Sequence, residues 1–328
     1  MKDVYILGIE SSCDETSMSI VKNGSEEIAT VVLSQIDIHK NYGGVVPEIA
    51  SRNHIENITI VLEELLSKTN LTMNDITAIA VTYGPGLIGS LLIGVQAAKT
   101  MALVTGKPLI PVHHIIGHIY ANNLKERLTF PLIALVVSGG HTELIYMKED
   151  YSFTKIGGTL DDAVGECYDK VAKVLGLEYP GGPKVDKLAK EGNPEAITLP
   201  KTHFDNLDFS FSGIKTAVIN LHHKTPDINK ADLCASFEKT VTEILIENTK
   251  KALKQINVKT VALAGGVSAN SYIRNEFLKL KEIGIEVYMP DLKLCTDNAA
   301  MIASAGYYNF VDGKRDELDL NAVPNLKL

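Results

Sequence analysis

The sequence predicts an α/β protein built from two duplicated lobes. Short β-branched runs alternate with longer amphipathic segments, which is typical of α/β architecture. An outline of strand, small-residue turn and strand occurs twice, about 130 residues apart. The length of 328 residues corresponds to about two domains, and no low-complexity linker interrupts the chain.

The elements follow from the two periodicities. Short apolar runs rich in β-branched residues predict strands at residues 5–9, 17–22, 27–34, 76–82, 132–138, 143–148, 260–264 and 286–289. Apolar residues at helical spacing predict helices at residues 49–66, 90–103, 163–175, 231–255, 271–283 and 298–308.

One uncharged stretch, residues 76–98, is long enough to span a membrane. Gly84, Pro85 and Gly86 interrupt it, so we predict a buried strand, a tight turn and a buried helix instead. The apolar run at residues 4–7 is too short for the core of a signal peptide. We therefore expect no membrane association.

Composition excludes several classes of protein. The 32 basic and 40 acidic residues give a net charge of −8, which disfavours a protein that wraps nucleic acid with a basic surface. The four cysteines are scattered without a CxxC pair, unlike those of a structural zinc module or a disulfide framework. These features predict a cytoplasmic protein.

Turns of small residues follow three predicted strands. They lie at residues 7–16 (LGIESSCDET), 136–144 (VVSGGHTEL) and 264–270 (AGGVSAN). Small residues let backbone N–H groups approach a phosphate, although each turn alone is equally compatible with an ordinary hairpin or loop. Three such turns on one nucleotide would describe a two-lobed nucleotide-binding fold with a cleft between the lobes.

The segment 84–89 (GPGLIG) matches the GxGxxG pattern of dinucleotide-binding proteins. That site requires an acidic residue about 20 positions further on, and here the next carboxylate after Asp75 is Glu126. We interpret the glycines as a structural turn that precedes a helix. A phosphate-binding P-loop sequence is absent from the chain.

His114 and His118 have the i, i+4 spacing that places two imidazoles on one helix face, where they suit a divalent metal. A zinc peptidase needs a glutamate directly after the first histidine, and Ile115 occupies that position. Asp297 precedes an Ala-rich helix and is either its N-cap or a third ligand. Two histidines and a carboxylate are typical of iron(II), and a metal-free histidine pair is the alternative.

Four acids, Asp161, Asp162, Glu166 and Asp169, lie at the start of a predicted helix, where a solvated helix N-terminus is the default interpretation. Asp169 and Asp186 are alternatively placed to bind hydroxyl groups of a ribose or substrate.

Read together, the segments of nearly the whole chain resemble the universal threonylcarbamoyl transferase family of tRNA modification (bacterial TsaD, formerly labelled O-sialoglycoprotein endopeptidase). The matching segments are GIESSCDET (8–16), GGVVPEIASR (43–52), TYGPGL (82–87), HIIGH (114–118), VSGGHT (137–142), GECYDK (165–170), YPGGP (179–183), FSFSG (209–213), AGGVSAN (264–270) and CTDN (295–298).

The resemblance implies the duplicated actin-like ATPase (ASKHA) fold. We expect an N-terminal lobe at residues 1–112, completed by about 306–328, and a C-terminal lobe at 113–305 with most of the nucleotide and metal site. The resemblance also implies a metal, iron(II) or alternatively zinc, on His114, His118 and Asp297. The implied adenylate pocket, which ATP or AMP would also fit, comprises Val137, Ser138, Gly139, Gly140, His141, Asp169, Gly182, Asp186 and Asn270.

The implied reaction transfers the threonylcarbamoyl group of threonylcarbamoyl-AMP to the exocyclic amine of the adenosine 3′ of the anticodon, in tRNAs that read codons beginning with A. The metal would act as a Lewis acid at the carbamoyl carbonyl, and the Ser138–Gly140 turn would hold the AMP phosphate. Asp14 or Glu15 is the candidate base for the attacking amine.

The resemblance further implies a paralogous TsaB-like subunit, a TsaE-like ATPase and a TsaC-like synthase as partners. Many bacterial members carry glutamate where this chain has Ile116, so any role of that glutamate is absent here. The alternatives are an actin-like ATPase or nucleotide-switched module, and a metallopeptidase, for which the sequence offers neither base nor nucleophile.

Charge is unevenly distributed along the chain. Residues 1–112 carry 7 basic and 12 acidic residues, a net −5, whereas residues 170–230 carry 9 and 7, a net +2. We expect the N-terminal lobe to bind protein partners and residues 170–230 to contact tRNA weakly, with salt-sensitive affinity.

Overall fold

A computed structural model describes residues 3–328 and divides them into two compact units. The first unit comprises residues 3–128 together with Pro290–Leu328, and the second comprises Thr129–Met289. These boundaries differ from the expected ones at residues 112/113 and about 305/306. Residues 113–128 and 290–305 belong to the first unit because they pack on its sheet and on each other.

Ten strands and ten α-helices make up the described part of the chain. The strands are β1 Tyr5–Glu10, β2 Glu15–Lys22, β3 Glu26–Ser34, β4 Ala78–Gly84, β5 Leu109–His113, β6 Leu132–Val137, β7 Thr142–Met147, β8 Thr154–Gly158, β9 Thr260–Ala264 and β10 Glu286–Tyr288. The helices are α1 Ile36–His39, α2 Pro47–Ser67, α3 Ile88–Thr105, α4 His114–Tyr120, α5 Val164–Val174, α6 Gly181–Ala189, α7 Ser212–Lys224, α8 Lys230–Ile256, α9 Ser271–Leu278 and α10 Ala299–Val311.

The two sheets have the same topology. The first runs β3-β2-β1-β4-β5 and the second β8-β7-β6-β9-β10. In each sheet, the first three strands in chain order pair antiparallel to one another. The fourth strand pairs in parallel with the first, and the fifth pairs in parallel with the fourth. The repeat seen in the sequence is therefore a repeat of the fold, and the predicted duplicated α/β class is confirmed.

In the first unit, β1 is buried on both faces. Leu7 and Ile9 belong to the same core cluster as apolar residues of α2 and α3. Because successive strand residues point to opposite faces, Gly8 faces the other way, and a Cβ there would lie 2.3 Å from the Ala299 carbonyl oxygen of α10. A glycine is required at this position for α10 to approach the sheet.

The uncharged stretch forms β4, a turn and α3, as predicted. By length and composition alone α3 could cross a membrane. In the first unit it buries Leu91, Val95 and Ala98 in the core, and 33% of the helix is buried. The turn before it is closed by a hydrogen bond from the Leu87 N–H to the Ser12 carbonyl oxygen, which supports its structural interpretation.

In the second unit, the sheet and helices α5 to α9 surround one apolar core. The predicted strands and helices did not include β5, β8, α1, α4, α6 and α7, although the spacing of His114 and His118 suited a helix. Helix α6 begins with Gly-Gly-Pro, which predicts a turn, yet proline is tolerated in a first helical turn because its missing N–H would have no intrahelical partner there.

Candidate functional site

The first unit brings His114, His118 and Asp297 together. Strand β5 ends at His113 and α4 starts at once, with the His113 Nδ1 accepting the Ile115 N–H at 3.2 Å. His114 and His118 then lie one turn apart on α4, as the spacing predicts. The metal candidates therefore lie in the first unit, not in the expected C-terminal lobe.

Close packing of α4 against α10 brings the histidines to Asp297. Gly117 lies between the two histidines, and a Cβ there would be 2.6 Å from Ile302 Cδ1 of α10. Glycine therefore permits the contact. Ile116, the residue before Gly117, is fully buried in the first unit.

The ligand atoms of the three residues all lie within 4.8 Å of one another. Asp297 Oδ1 is 3.1 Å from His118 Nε2 and 3.6 Å from His114 Nε2. The two imidazole rings are nearly perpendicular, with centroids 4.7 Å apart. Two imidazole nitrogens and one carboxylate oxygen thus converge from two directions, which matches the donor set of a three-ligand divalent metal site.

A buried carboxylate orients the first histidine. The Nδ1 of His114 donates to Glu10 Oε2 at 3.1 Å, which leaves Nε2 free to face Asp297. Glu10 is completely buried at the end of β1, and its carboxylate also accepts from the Ser12 N–H and the Thr82 hydroxyl, both at 2.6 Å. A carboxylate behind a histidine is the usual support for a metal ligand, because it fixes the tautomer and raises ligand basicity.

The electrostatics of the cluster favour a cation. Burial lowers the pKa of His114, but the negative charges of Asp297 and Glu10 outweigh burial and raise it to about 9. His118 is 1% exposed, its Nε2 lies 3.1 Å from Asp297 Oδ1, and its Nδ1 makes no hydrogen bond to a residue within 3–328. A buried imidazole that faces a carboxylate and lacks other partners fits a metal ligand better than a packed core histidine.

Asp297 does not cap α10. The N-cap is Asn298, whose side-chain oxygen accepts the Met301 N–H at 3.0 Å. The capping interpretation of Asp297 is therefore wrong, because the neighbouring asparagine satisfies the helix terminus. The Asp297 carboxylate lies instead beside the two histidines.

Asp14 and Glu15 lie at the β1–β2 turn of the first unit, and both are largely buried. His54 of α2 holds this turn: its Nε2 donates to the Cys13 carbonyl oxygen at 3.0 Å and its Nδ1 accepts from Thr16 Oγ1 at 2.7 Å. Burial raises the pKa of Glu15 well above its ordinary value, and the charges of Asp297 and Asp14 raise it further.

The second unit contains all nine residues expected in the adenylate pocket, and contacts link their segments in a ring. The β6–β7 turn contacts the start of α5, where the Gly165 N–H donates to the Ser138 carbonyl oxygen at 3.1 Å. Asp169 of α5 accepts the Gly181 N–H of α6 at 2.7 Å. Asp186 of α6 accepts from the Ser271 hydroxyl of α9 at 2.6 Å, next to Asn270.

Close backbone packing completes the ring. Gly265 follows β9 with φ +87°, and a Cβ there would lie 2.4 Å from the Val137 carbonyl oxygen. Only glycine fits both that conformation and that approach. Two of the three small-residue turns thus pack together in the second unit, and the third, at residues 7–16, belongs to the first unit.

The β6–β7 turn presents exposed backbone. Ser138 closes it, since its N–H donates to the His141 carbonyl oxygen at 2.8 Å and its Oγ accepts the His141 N–H at 3.1 Å. Gly139 and Gly140 are exposed, and a Cβ on either would meet nothing within 4 Å. The open glycines leave room for an anion on their N–H groups.

Asp169 differs from a solvated helix-start acid. Burial raises its pKa, and the N–H groups of Gly181 and Gly182 partly oppose that shift. Asp161 and Asp162 are not simple solvated acids either. Asp161 accepts the hydroxyls of Ser210 and Ser212 in the FSFSG segment, and Asp162 pairs with Lys170 and Lys215. They hold α7 in place.

Comparison with known proteins identifies the family. The sequence profile described as "TsaD: tRNA N6-adenosine threonylcarbamoyltransferase" matches residues 26–304. The chain belongs to the TsaD family. TsaD relatives named tRNA N6-adenosine threonylcarbamoyltransferase include that of Bacillus subtilis, 56% identical over all of this chain and 96% of the relative, and that of Clostridium botulinum, 54% identical over all of this chain and 98% of the relative.

Solved structures show the fold of this TsaD-family chain. HypF of T. kodakarensis superimposes with a TM-score of 0.65 at 14% identity, over 97% of this chain and 49% of HypF. The activator of 2-hydroxyisocaproyl-CoA dehydratase from Clostridium difficile gives a TM-score of 0.54 at 16% identity, over 95% of this chain and 96% of the activator. These are actin-like ATPase folds, as expected from the resemblance.

Sequence reasoning missed two buried carboxylates beside the TsaD-family motifs. Glu10 ends an apolar strand, and a charged residue there is a signal that was available. Glu238 lies on α8 in the stripe Cys234, Glu238, Val241, Leu245, whose spacing is that of a core face. An acid in such a stripe is also a signal, because charged residues are almost never fully buried without a partner.

Proposed function

We propose that this chain transfers the threonylcarbamoyl group of threonylcarbamoyl-AMP to N6 of the adenosine 3′ of the anticodon, in tRNAs that read codons beginning with A. The observation that carries the proposal is the match to the TsaD profile and to its relatives over the whole chain. The His-His-Asp cluster and the open glycine turn are the features that this chemistry needs.

The bond changes define what the protein must supply. The adenosine amine attacks the carbamoyl carbon, the new N–C bond forms, and the C–O bond to the phosphate breaks to release AMP. Negative charge develops on the carbamoyl oxygen and on the phosphate, and the amine must lose a proton. The protein therefore has to stabilise two anionic oxygens and accept one proton.

His114, His118 and Asp297 would hold a divalent metal, with iron(II) preferred and zinc as the alternative. When bound, the metal supplies Lewis acidity for acyl transfer. Glu10 keeps the proton on His114 Nδ1, so that Nε2 offers its lone pair. The support for this assignment is the donor set and the close approach of Asp297 to both histidines.

The second unit would bind the adenylate, and ATP or AMP in the same place. The N–H groups of the Val137, Ser138, Gly139, Gly140 and His141 turn would hold the phosphate. Asp169, Gly182, Asp186 and Asn270 would bind the nucleoside. The ring of contacts that links these segments supports one common pocket.

For the proton we propose Asp14 rather than Glu15. Both lie on the turn that His54 holds. Burial raises the pKa of Glu15 well above its ordinary value, so Glu15 gives up its own proton less readily than an ordinary glutamate does. Its carboxylate also accepts from the Ser34 hydroxyl at 3.1 Å.

For partners we propose tRNA as substrate, a paralogous TsaB-like subunit, a TsaE-like ATPase, and a TsaC-like synthase that supplies the adenylate, all in the cytoplasm. The first unit offers exposed apolar side chains, Ile55 and Ile60 of α2, that support docking of a protein. Several lysines within residues 170–230 are paired with acids, which supports weak, salt-sensitive tRNA contact.

A reconstitution tests the proposal. The purified chain, threonine, bicarbonate, ATP, tRNA, the synthase and the helper proteins are combined, and modified nucleoside is detected by mass spectrometry. We expect product that disappears when Asp297 is replaced by alanine while ATP turnover persists. No product with all helpers present would refute the transferase, and equal loss of both activities in Asp297→Ala would favour the ATPase alternative.

A further inference from the structure

Glu238 is a buried acid that the proposed reaction does not use. It is the single acidic residue among the buried positions of α8, and it is 2% exposed. Its carboxylate accepts a hydrogen bond from the side-chain amide of Asn270. The partner is thus neutral, although burying a carboxylate is costly unless a cation or several donors compensate.

Asn270 has its amide orientation fixed twice. Its Oδ1 accepts the Ile273 N–H at 2.9 Å, which caps α9, and its Nδ2 donates to Glu238 Oε1. An asparagine amide is nearly symmetric in shape, so packing alone distinguishes its two orientations poorly. The cap requires the oxygen toward α9, and the carboxylate requires the nitrogen toward α8. Both requirements select the same orientation.

The surroundings of Glu238 favour an acceptor at this position. Burial raises the pKa of Glu238 to about 7, and the charge of Asp186 adds to this shift. The hydrogen bond from the Asn270 amide and the charge of Lys190 oppose the shift. The buried Tyr168 and Cys234 are the other titratable groups close enough to interact with it. None of these groups competes for the Asn270 amide among the hydrogen bonds of residues 3–328.

We propose that Glu238 is a positioning residue for the nucleoside: its carboxylate holds the Asn270 amide so that the second N–H of that amide and the second lone pair of its oxygen are presented to the substrate. The inference rests on the proposed function, since it takes Asn270 as a substrate contact. Glu238 itself touches no reacting atom and acts through Asn270.

The test is a double-mutant cycle with AMP as the probe. Glu238→Leu removes the acceptor with little change in volume, and Asn270→Ser removes the amide but keeps a helix-capping hydroxyl. We expect Glu238→Leu to weaken AMP binding about tenfold in calorimetric titration, with KM for the adenylate raised and kcat within twofold of the unaltered chain. In the Asn270→Ser background, Glu238→Leu should add less than twofold.

Conservative replacement separates positioning from folding. In Glu238→Gln a neutral carbonyl still accepts from the amide, so AMP affinity should stay within about threefold. Glu247→Gln, which removes an exposed carboxylate of the same helix, should change nothing. Thermal unfolding identifies variants that do not fold. If Glu238→Leu does not fold, Glu238→Met takes its place in the cycle.

The outcomes separate the two proposals. Unchanged AMP affinity in Asn270→Ser overturns the proposed pocket. If Asn270→Ser weakens AMP binding and Glu238→Leu leaves it unchanged, the positioning role alone is overturned. The positioning role is also overturned if Glu238→Leu lowers AMP affinity equally in the unaltered chain and in Asn270→Ser. The same holds if Glu238→Gln lowers AMP affinity as much as Glu238→Leu does.

Discussion

Glu238→Gln is expected to stabilise the protein at neutral and alkaline pH. The carboxyl has an ordinary pKa of 4.5, which burial and Asp186 raise to about 7 in the folded state against the opposing Asn270 amide. Because the folded pKa exceeds the unfolded one, the folded state binds more protons between these values. The stability that the protonated Glu238 contributes to the free energy of unfolding is therefore fully present below pH 4.5 and is lost as pH rises through 7.

The magnitude follows from the size of the shift. About 2.5 pH units correspond to about 3 kcal/mol of lost stability above pH 7, and to less than about 1 kcal/mol at pH 5. Glutamine at position 238 keeps an acceptor for Asn270 and cannot ionise, so it avoids this loss. We expect Glu238→Gln to be more stable than the unaltered chain by about 3 kcal/mol at pH 8, with a difference that shrinks toward pH 5.

Urea unfolding at pH 5, 6, 7 and 8 measures this difference, and hydrogen exchange of peptides from α8 assigns it to the second unit. Glu247→Gln on the same helix is the matched control and should show no such pH trend. A stability difference that is constant from pH 5 to 8, or a Glu238→Gln variant that is less stable at pH 8, would refute the reasoning.

Three further predictions concern the first unit and tRNA. Glu10→Gln should weaken divalent-metal binding about 10- to 100-fold in chelator competition, because the negative charge that raises the basicity of His114 is lost; unchanged affinity would contradict this. Asp14→Asn should slow transfer from preformed adenylate by about 100-fold or more, and Glu15→Gln less; rates within a few-fold of the unaltered chain for both would exclude the base assignment. The isolated chain should lose most tRNA affinity between 50 and 200 mM salt in filter binding, and salt-independent tight binding would count against so weak a basic surface.

Sequence patterns predicted the features that depend on local spacing. The i, i+4 histidines lie on one helix face because the spacing alone determines that face. The repeated turn outline predicted the duplicated sheet because a strand, turn and strand are contiguous in the chain. These inferences need no knowledge of what packs against the element.

The features that sequence reasoning missed depend on tertiary contacts. Glu10 lies 104 positions from His114, so its role requires knowing that β1 and the end of β5 meet in one unit. Strand β5 contains Pro111, which argues against a central strand but is tolerated at the sheet edge that β5 occupies. Asp297 was ambiguous because only the structure shows that Asn298 already caps α10.

The two copies of the repeated turn have diverged in charge, and this divergence supports the different roles proposed for them. The β1–β2 turn of the first unit carries two acidic side chains, Asp14 and Glu15, which make it a poor binding site for a phosphate. The β6–β7 turn of the second unit has Ser138, Gly139, Gly140 and His141 between its strands, with the two glycines exposed and no acidic side chain. Because one topology generated both turns, the differences lie in the side chains rather than in the backbone framework. Under the proposed function, acid–base chemistry would belong to the first turn and phosphate binding to the second. Exchanging their residues should then abolish both functions while preserving each sheet.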